Sequence, residues 1–170
     1  MSSAHRTVTR RSAPLSAAAA LIVLSAGGCA DVSDATGASA VPSPPARAAA
    51  ECRALHRDLP RAVDGLRRRT AGPASDFTAV WGDPAVRLRC GVARPKVLDP
   101  GDAHYNPRSE AAEVNGVEWL PQKQDGGYRF TTVLRRAFVE VTVPGKYAPE
   151  VDALIDLAGP VKKTIPVGVV

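Results

Sequence analysis

The chain is poor in cysteine, methionine and aromatic rings. Its 170 residues include three Cys, one Met, two Trp, three Tyr and three Phe. Three cysteines are too few for a disulfide-dense miniature scaffold. A strong excess of one charge is also lacking, since 22 Lys and Arg stand against 17 Asp and Glu, a formal +5. An excess of that size does not mark a nucleic-acid binder. There is no Gly-x-Ser-x-Gly elbow, phosphate loop, dinucleotide fingerprint or Cys/His zinc spacing, and no internal repeat. The apolar fraction of 45% is ordinary for a globular protein and too high for a fully disordered one. The length suits a single domain.

What is present begins at the N-terminus. Arg6, Arg10 and Arg11 come early, and no acid precedes Asp31. An apolar run from Ala13 to Ala26 follows, holding Leu15, Leu21, Ile22, Val23 and Leu24, and it leads into Gly27-Gly28-Cys29. A basic start, a short apolar stretch and small residues before a cut site describe a secretory signal peptide. The run is shorter than the ~20 residues that span a bilayer, so a permanent transmembrane helix is the weaker reading. Small residues directly before a cysteine resemble the bacterial lipobox, in which the thiol takes a diacylglyceryl group and becomes the mature N-terminus. Ala26 stands where that motif usually has Leu. The expectation is a lipoprotein signal peptide over residues 1–28 and a lipidated Cys29 carrying long chains such as palmitate. Two chains anchor stably where one binds only marginally. The domain would then sit on the extracytoplasmic face of the cell membrane. Plain secretion with cleavage nearby is the alternative. Arg10-Arg11 also opens a twin-arginine reading, which Ser12-Ala13-Pro14 does not support.

Removing residues 1–28 takes away three basic residues and no acid, leaving 19 basic against 17 acidic groups, a net of +2. Most of the basicity belongs to export, and nucleic acid is not an expected partner. Residues 29–50 are rich in Ala, Ser, Gly and Pro and read as anchor and flexible tether. Residues 51–170 read as one α+β domain: a small antiparallel sheet of about four or five strands, with an N-terminal and a C-terminal helix on one face. Cys52, Leu55, Leu59, Val63 and Leu66 recur at helical spacing, with the start of the helix in the Ala46–Ala50 run. Pro60 predicts a kink or two short helices, the second capped by Asp58. Period-two alternation then gives strands over 77–81, 86–92, 118–120, 128–134 and 137–143. Residues 94–113 form a long loop. Pro149-Glu150 opens a last helix with Val151, Leu154, Ile155 and Ala158 on one face, ended by Gly159-Pro160.

Cys52 lies on the helix stripe and Cys90 on the inward face of a strand. In an oxidising compartment a Cys52–Cys90 disulfide is expected, against two free buried thiols. Arg87, Arg89 and Arg94 form the most suggestive polar cluster, suited to anionic lipid headgroups or wall polymers. The plainer reading is a solvated face paired with Glu118 or Glu140. Trp81 and Trp119 could line a groove, although rings beside turns more often belong to the core. His56 sits on a charged helix face. Asp99, Asp102 and His104 share a loop, but three donors there make a weak metal site, and neither a metal nor a cofactor is expected.

The stretch Trp81-Gly82-Asp83-Pro84-Ala85-Val86-Arg87-Leu88-Arg89-Cys90-Gly91-Val92-Ala93-Arg94-Pro95, followed by Val114-Asn115-Gly116-Val117-Glu118-Trp119, resembles an uncharacterised family of actinobacterial envelope lipoproteins, domain-of-unknown-function family 3515. The resemblance runs from about Glu51 to the C-terminus. It implies an exported, membrane-anchored domain and brings no assigned activity or catalytic residues. The expected function is a non-enzymatic binding or accessory module of the envelope, engaging a protein partner, lipid or wall polymer. The alternative is a small envelope hydrolase using His104 and carboxylates of the 99–113 loop.

Overall fold

The alanine run before Cys52 starts the folded chain. In the computed structural model, which describes residues 40–168, helix α1 spans Ala46–Asp58 and buries Ala48, Ala49, Cys52 and Leu55. It stops at Leu59, which is extended, because proline at the next position disfavours helical backbone there. Val63 and Leu66 are not helical. Strands β1 (Ala62–Val63) and β2 (Leu66–Arg69) pair across Asp64-Gly65, with Val63 opposite Leu66. Asp64 and Gly65 have φ of 48° and 70°, the positive pair that a tight two-residue hairpin requires. The expected second helix after Pro60 is corrected accordingly. Asp58 caps nothing there and instead accepts a hydrogen bond from Lys163 Nζ at 2.7 Å.

The remaining elements are β3 (Thr78–Trp81), β4 (Val86–Val92), β5 (Ala112–Val114), β6 (Val117–Gln124), β7 (Gly127–Thr132), β8 (Phe138–Pro144) and α2 (Asp152–Thr164). All strands form one antiparallel sheet in the order β1-β2-β3-β4-β8-β7-β6-β5. The sheet therefore has eight strands rather than four or five. The additional ones are the β1–β2 hairpin, hidden in a helix-like stripe, and the short edge strand β5. Two four-stranded meanders meet where β4 pairs with β8.

Alternation divides the sheet into two faces. Val86, Leu88 and Cys90 of β4, Val139, Val141 and Val143 of β8, and Trp119 of β6 join the buried residues of both helices in one cluster. The opposite face carries Arg87, Arg89, Arg129 and Glu140, with Leu120 and Phe138 buried outside that cluster. Helix α2 runs through Gly159-Pro160 to Thr164, contrary to the expected stop. Proline inside a helix costs roughly 3 kcal/mol. Val161 and Ile165 beyond it are fully buried, and at about 1.5–3 kcal/mol each their burial outweighs the break. The inward face is Ala153, Leu154, Leu157, Ala158 and Val161. Val151 and Ile155, expected inside, are 38% and 52% exposed. Arg135 is buried in the β7–β8 connection and donates to the carbonyl oxygens of Ile165 at 2.8 Å and Gly116 at 2.9 Å. It thereby ties the chain after α2 to the turn between β5 and β6.

Cys52 and Cys90 form a disulfide between α1 and β4, with Cα atoms 5.5 Å apart and 38 residues of sequence separation. A loop of that size corresponds to about 3–4 kcal/mol in the chain-entropy account. The double substitution Cys52→Ala/Cys90→Ala should lower the unfolding free energy in denaturant titrations by about that amount. A loss of less than about 1 kcal/mol would contradict the staple.

Candidate functional site

The connection from β4 to β5 must travel from the middle of the sheet to its edge. Crossing β8, β7 and β6 covers four strand spacings, about 19 Å. The helices occupy one face, so residues 93–111 pass over the other. The segment is braced by its own turns. Asn106 N donates to Val97 O at 2.9 Å, and Asp102 N to Asp99 O at 3.0 Å. Asp99 Oδ1 accepts from Gly101 N at 3.1 Å. Asp102 Oδ1 accepts from His104 N and pairs with the ring Nδ1, both at 2.8 Å. The backbone N–H of His104, then its ring, holds the Asp102 carboxyl below the usual carboxylate range.

Between this crossing segment and the polar sheet face lies a cleft of about 440 Å³, a size typical of small-ligand sites. Its floor follows from strand register. Arg89, Glu140 and Thr131 lie in one row across β4, β8 and β7, and Arg129 and Gln122 lie in the next. Its wall is formed by residues 92–97 and His104. Four fixed cations (Arg89, Arg94, Lys96 and Arg129) face one carboxylate, Glu140, a net of +3 among these lining groups. Glu140 lies 3.4 Å from Arg89 Nε and 3.5 Å from Arg129 Nε. Among the described residues neither Nε has an aligned hydrogen-bond partner. The carboxylate thus neutralises half of the pair's charge and leaves both guanidinium groups with donor capacity.

The expected site residues separate here. Arg89 and Arg94 enter the cleft together with His104. Arg89 pairs with Glu140, one of the two partners anticipated for it. Arg94 sits at the rim and donates to Leu98 O at 3.1 Å. Arg87 is on the same strand face but borders a neighbouring hollow with Tyr128 and Thr142. Trp81 and Trp119 have no exposed surface and belong to the core. Trp81 Nε1 donates to Pro60 O at 3.1 Å. A ring without exposed surface cannot line a groove, so both are corrected from binding to packing. Asp99 and Asp102 shape the loop. Cys29 lies outside the described residues. Among the described residues no group of three or more His, Cys, Asp or Glu is placed to hold a metal. Reading one strand at a time missed Arg129, Lys96 and Gln122. The outward phase of Tyr128-Arg129-Phe130 was the available signal for Arg129.

A second hollow, about 600 Å³, opens beside α1 and is bordered by His56, Arg68, Asp76 and Thr78. His56 Nε2 lies 2.9 Å from Arg68 Nη2. The guanidinium can only donate, so Nε2 accepts and the proton sits on Nδ1, which has no hydrogen-bond partner among the described residues. Burial, reinforced by Arg68 and partly offset by Asp76, lowers the His56 pKa. Arg68 also stands 5.9 Å over the Trp81 ring.

The model of the family described as "Protein of unknown function (DUF3515)" matches residues 13–169. No curated protein and no solved structure matches the chain. The match covers nearly the whole length, and the chain belongs to that family.

The neutral His56 sets a pH dependence. Its folded pKa lies below the ordinary value of 6.5, so the unfolded chain takes up the proton first. Stability should be fully present above about pH 6.5 and fall as the pH drops through the folded value. Ordinary carboxylates titrate near pH 4, which leaves the interval just below pH 6.5 to histidine. Chemical denaturation between pH 7 and pH 5 should show this decline, and His56→Gln should flatten it. An unchanged slope in the variant would contradict the assignment.

Proposed function

We propose that this member of the DUF3515 family is an exported, lipid-anchored cell-envelope protein whose domain is a non-enzymatic binding module. The cleft over β4, β8 and β7 is its ligand surface. The observation that carries this reading is the gathering of Arg89, Arg94, Lys96 and Arg129 around a single carboxylate. These four cations come from two strands and the crossing segment, a convergence that a merely solvated face does not need. The signal-like residues 1–28 and Cys29 support export and anchoring. The disulfide supports an oxidising compartment. The ligand class that fits is anionic, and nucleic acid is disfavoured by the near-neutral mature chain.

A second reading, a small envelope hydrolase, is favoured by one contact. Asp102 orients the His104 ring at 2.8 Å on the cleft wall, as a carboxylate orients a general base. The two readings part on His104→Ala. A binding module keeps most of its affinity for its ligand, whereas a hydrolase loses turnover by 100-fold or more (roughly the general-base contribution).

The anchor is tested in cells by metabolic labelling with a radioactive fatty acid and by membrane fractionation. The wild-type protein should carry label and sediment with membranes. Cys29→Ala should carry none. An unlabelled wild-type protein would refute lipidation.

A further inference from the structure

We infer that the basic cleft binds the phosphate group of an anionic lipid headgroup in the membrane to which Cys29 ties the chain. This rests on the anchored reading above and adds both the ligand and the orientation of the domain. The evidence is where the chain leaves the fold. Pro44 lies against β4 at Gly91, so closely that a Cβ there would fall 2.5 Å from it, and Gly91 has φ +83°. Three residues earlier, Val41 borders a small cavity of about 50 Å³ with Arg87 and Arg89. Arg89 borders both that cavity and the cleft. The chain toward Cys29 therefore departs beside the cleft, on the polar side of the sheet.

Eleven residues lie between Cys29 and Val41, and the twelve steps from one to the other span at most about 43 Å when fully extended. A tether of that reach, leaving beside the cleft, allows the cleft to meet the bilayer.

The chemistry of the cleft matches a headgroup phosphate. Arg89 and Arg129 share Glu140 and retain donors suited to two phosphate oxygens. Arg94 and Lys96 are exposed at the rim, where each basic group near an anionic surface adds about a fivefold factor in binding. Thr131 and Gln122 supply neutral hydrogen-bonding groups on the floor. A cleft of about 440 Å³ admits a phosphate and its glycerol. A free phosphate has the same chemistry and is the competing source.

The test reconstitutes the mature anchored chain into vesicles of phosphatidylcholine alone and into vesicles with about a third phosphatidylglycerol. Amide hydrogen exchange is read over residues 93–97 and β7. Exchange should be several-fold slower in the phosphatidylglycerol vesicles. The exposed pair Arg94→Gln/Lys96→Gln should weaken binding to the anionic surface by about fivefold per charge and so remove most of the protection seen at a third phosphatidylglycerol. Equal exchange in both vesicles would overturn the inference. Equal protection in neutral vesicles on adding inorganic phosphate would overturn the lipid as source. Flotation separates the two readings. A protein that floats with both vesicles but shows no differential protection keeps its anchor and loses the headgroup site. One that floats only with phosphatidylglycerol keeps the headgroup site and loses the anchor.

Discussion

The pairing of β4 with β8 joins two four-stranded meanders into one sheet, and the other features of the domain follow from it. Because β4 is central while its successor β5 lies at the far edge, the chain between them must cross half of one face. The helices are on the face where Cys90 meets Cys52, so the crossing takes the other. A polar sheet face that would otherwise be open to water acquires a roof, and the space between is the cleft. The same pairing places Glu140 directly opposite Arg89. A carboxylate there sits between two guanidinium groups, because β7 brings Arg129 from the other side. Topology thus produces a cavity and its electrostatics together.

The inward face is held by different means. Burial of Val, Leu and Trp side chains contributes most of the stabilisation, and the disulfide limits the unfolded chain. Arg135 contributes through charged hydrogen bonds to two carbonyls on separate segments, a type worth more than a neutral pair. Burial lowers its pKa from the ordinary arginine value. These devices fix the framework so that the polar face can carry charge without a compensating core of its own. Its small apolar contribution comes from Leu120 and Phe138.

The parts of the fold readable in the sequence are those set by local periodicity. Val86 to Cys90 alternates as the sequence implies, with Cys90 inward, whereas Val92, expected on the core face, follows a register shift after Cys90 and lines the cleft wall. Asn115-Gly116 turns at φ of 50° and 82°, as the dipeptide implies. Val63 and Leu66 depart from the helical expectation because a spacing of three fits both a helical turn and two residues facing each other across a hairpin. Asp64-Gly65 was the overlooked signal. Ile155 and Leu154 were not separable without knowing that the helix continues past Pro160, since the extra turn moves the apolar face toward Leu157 and Val161. At the site, Arg89 and Arg94 were legible because they lie on one strand and its exit. Arg129 was not, since its proximity to Arg89 depends on β8 lying between their strands, a pairing of residues far apart in sequence.

The central claim is the proposed contact of the roofed polar face with an anionic membrane. It is tested most directly by photocrosslinking in intact cells with a phospholipid carrying a photoreactive group at its headgroup, followed by mass-spectrometric mapping of the adducts. Adducts concentrated on residues 89–97 and on Arg129 are the predicted result. Adducts on α1 and α2, or spread evenly over the surface, would contradict it.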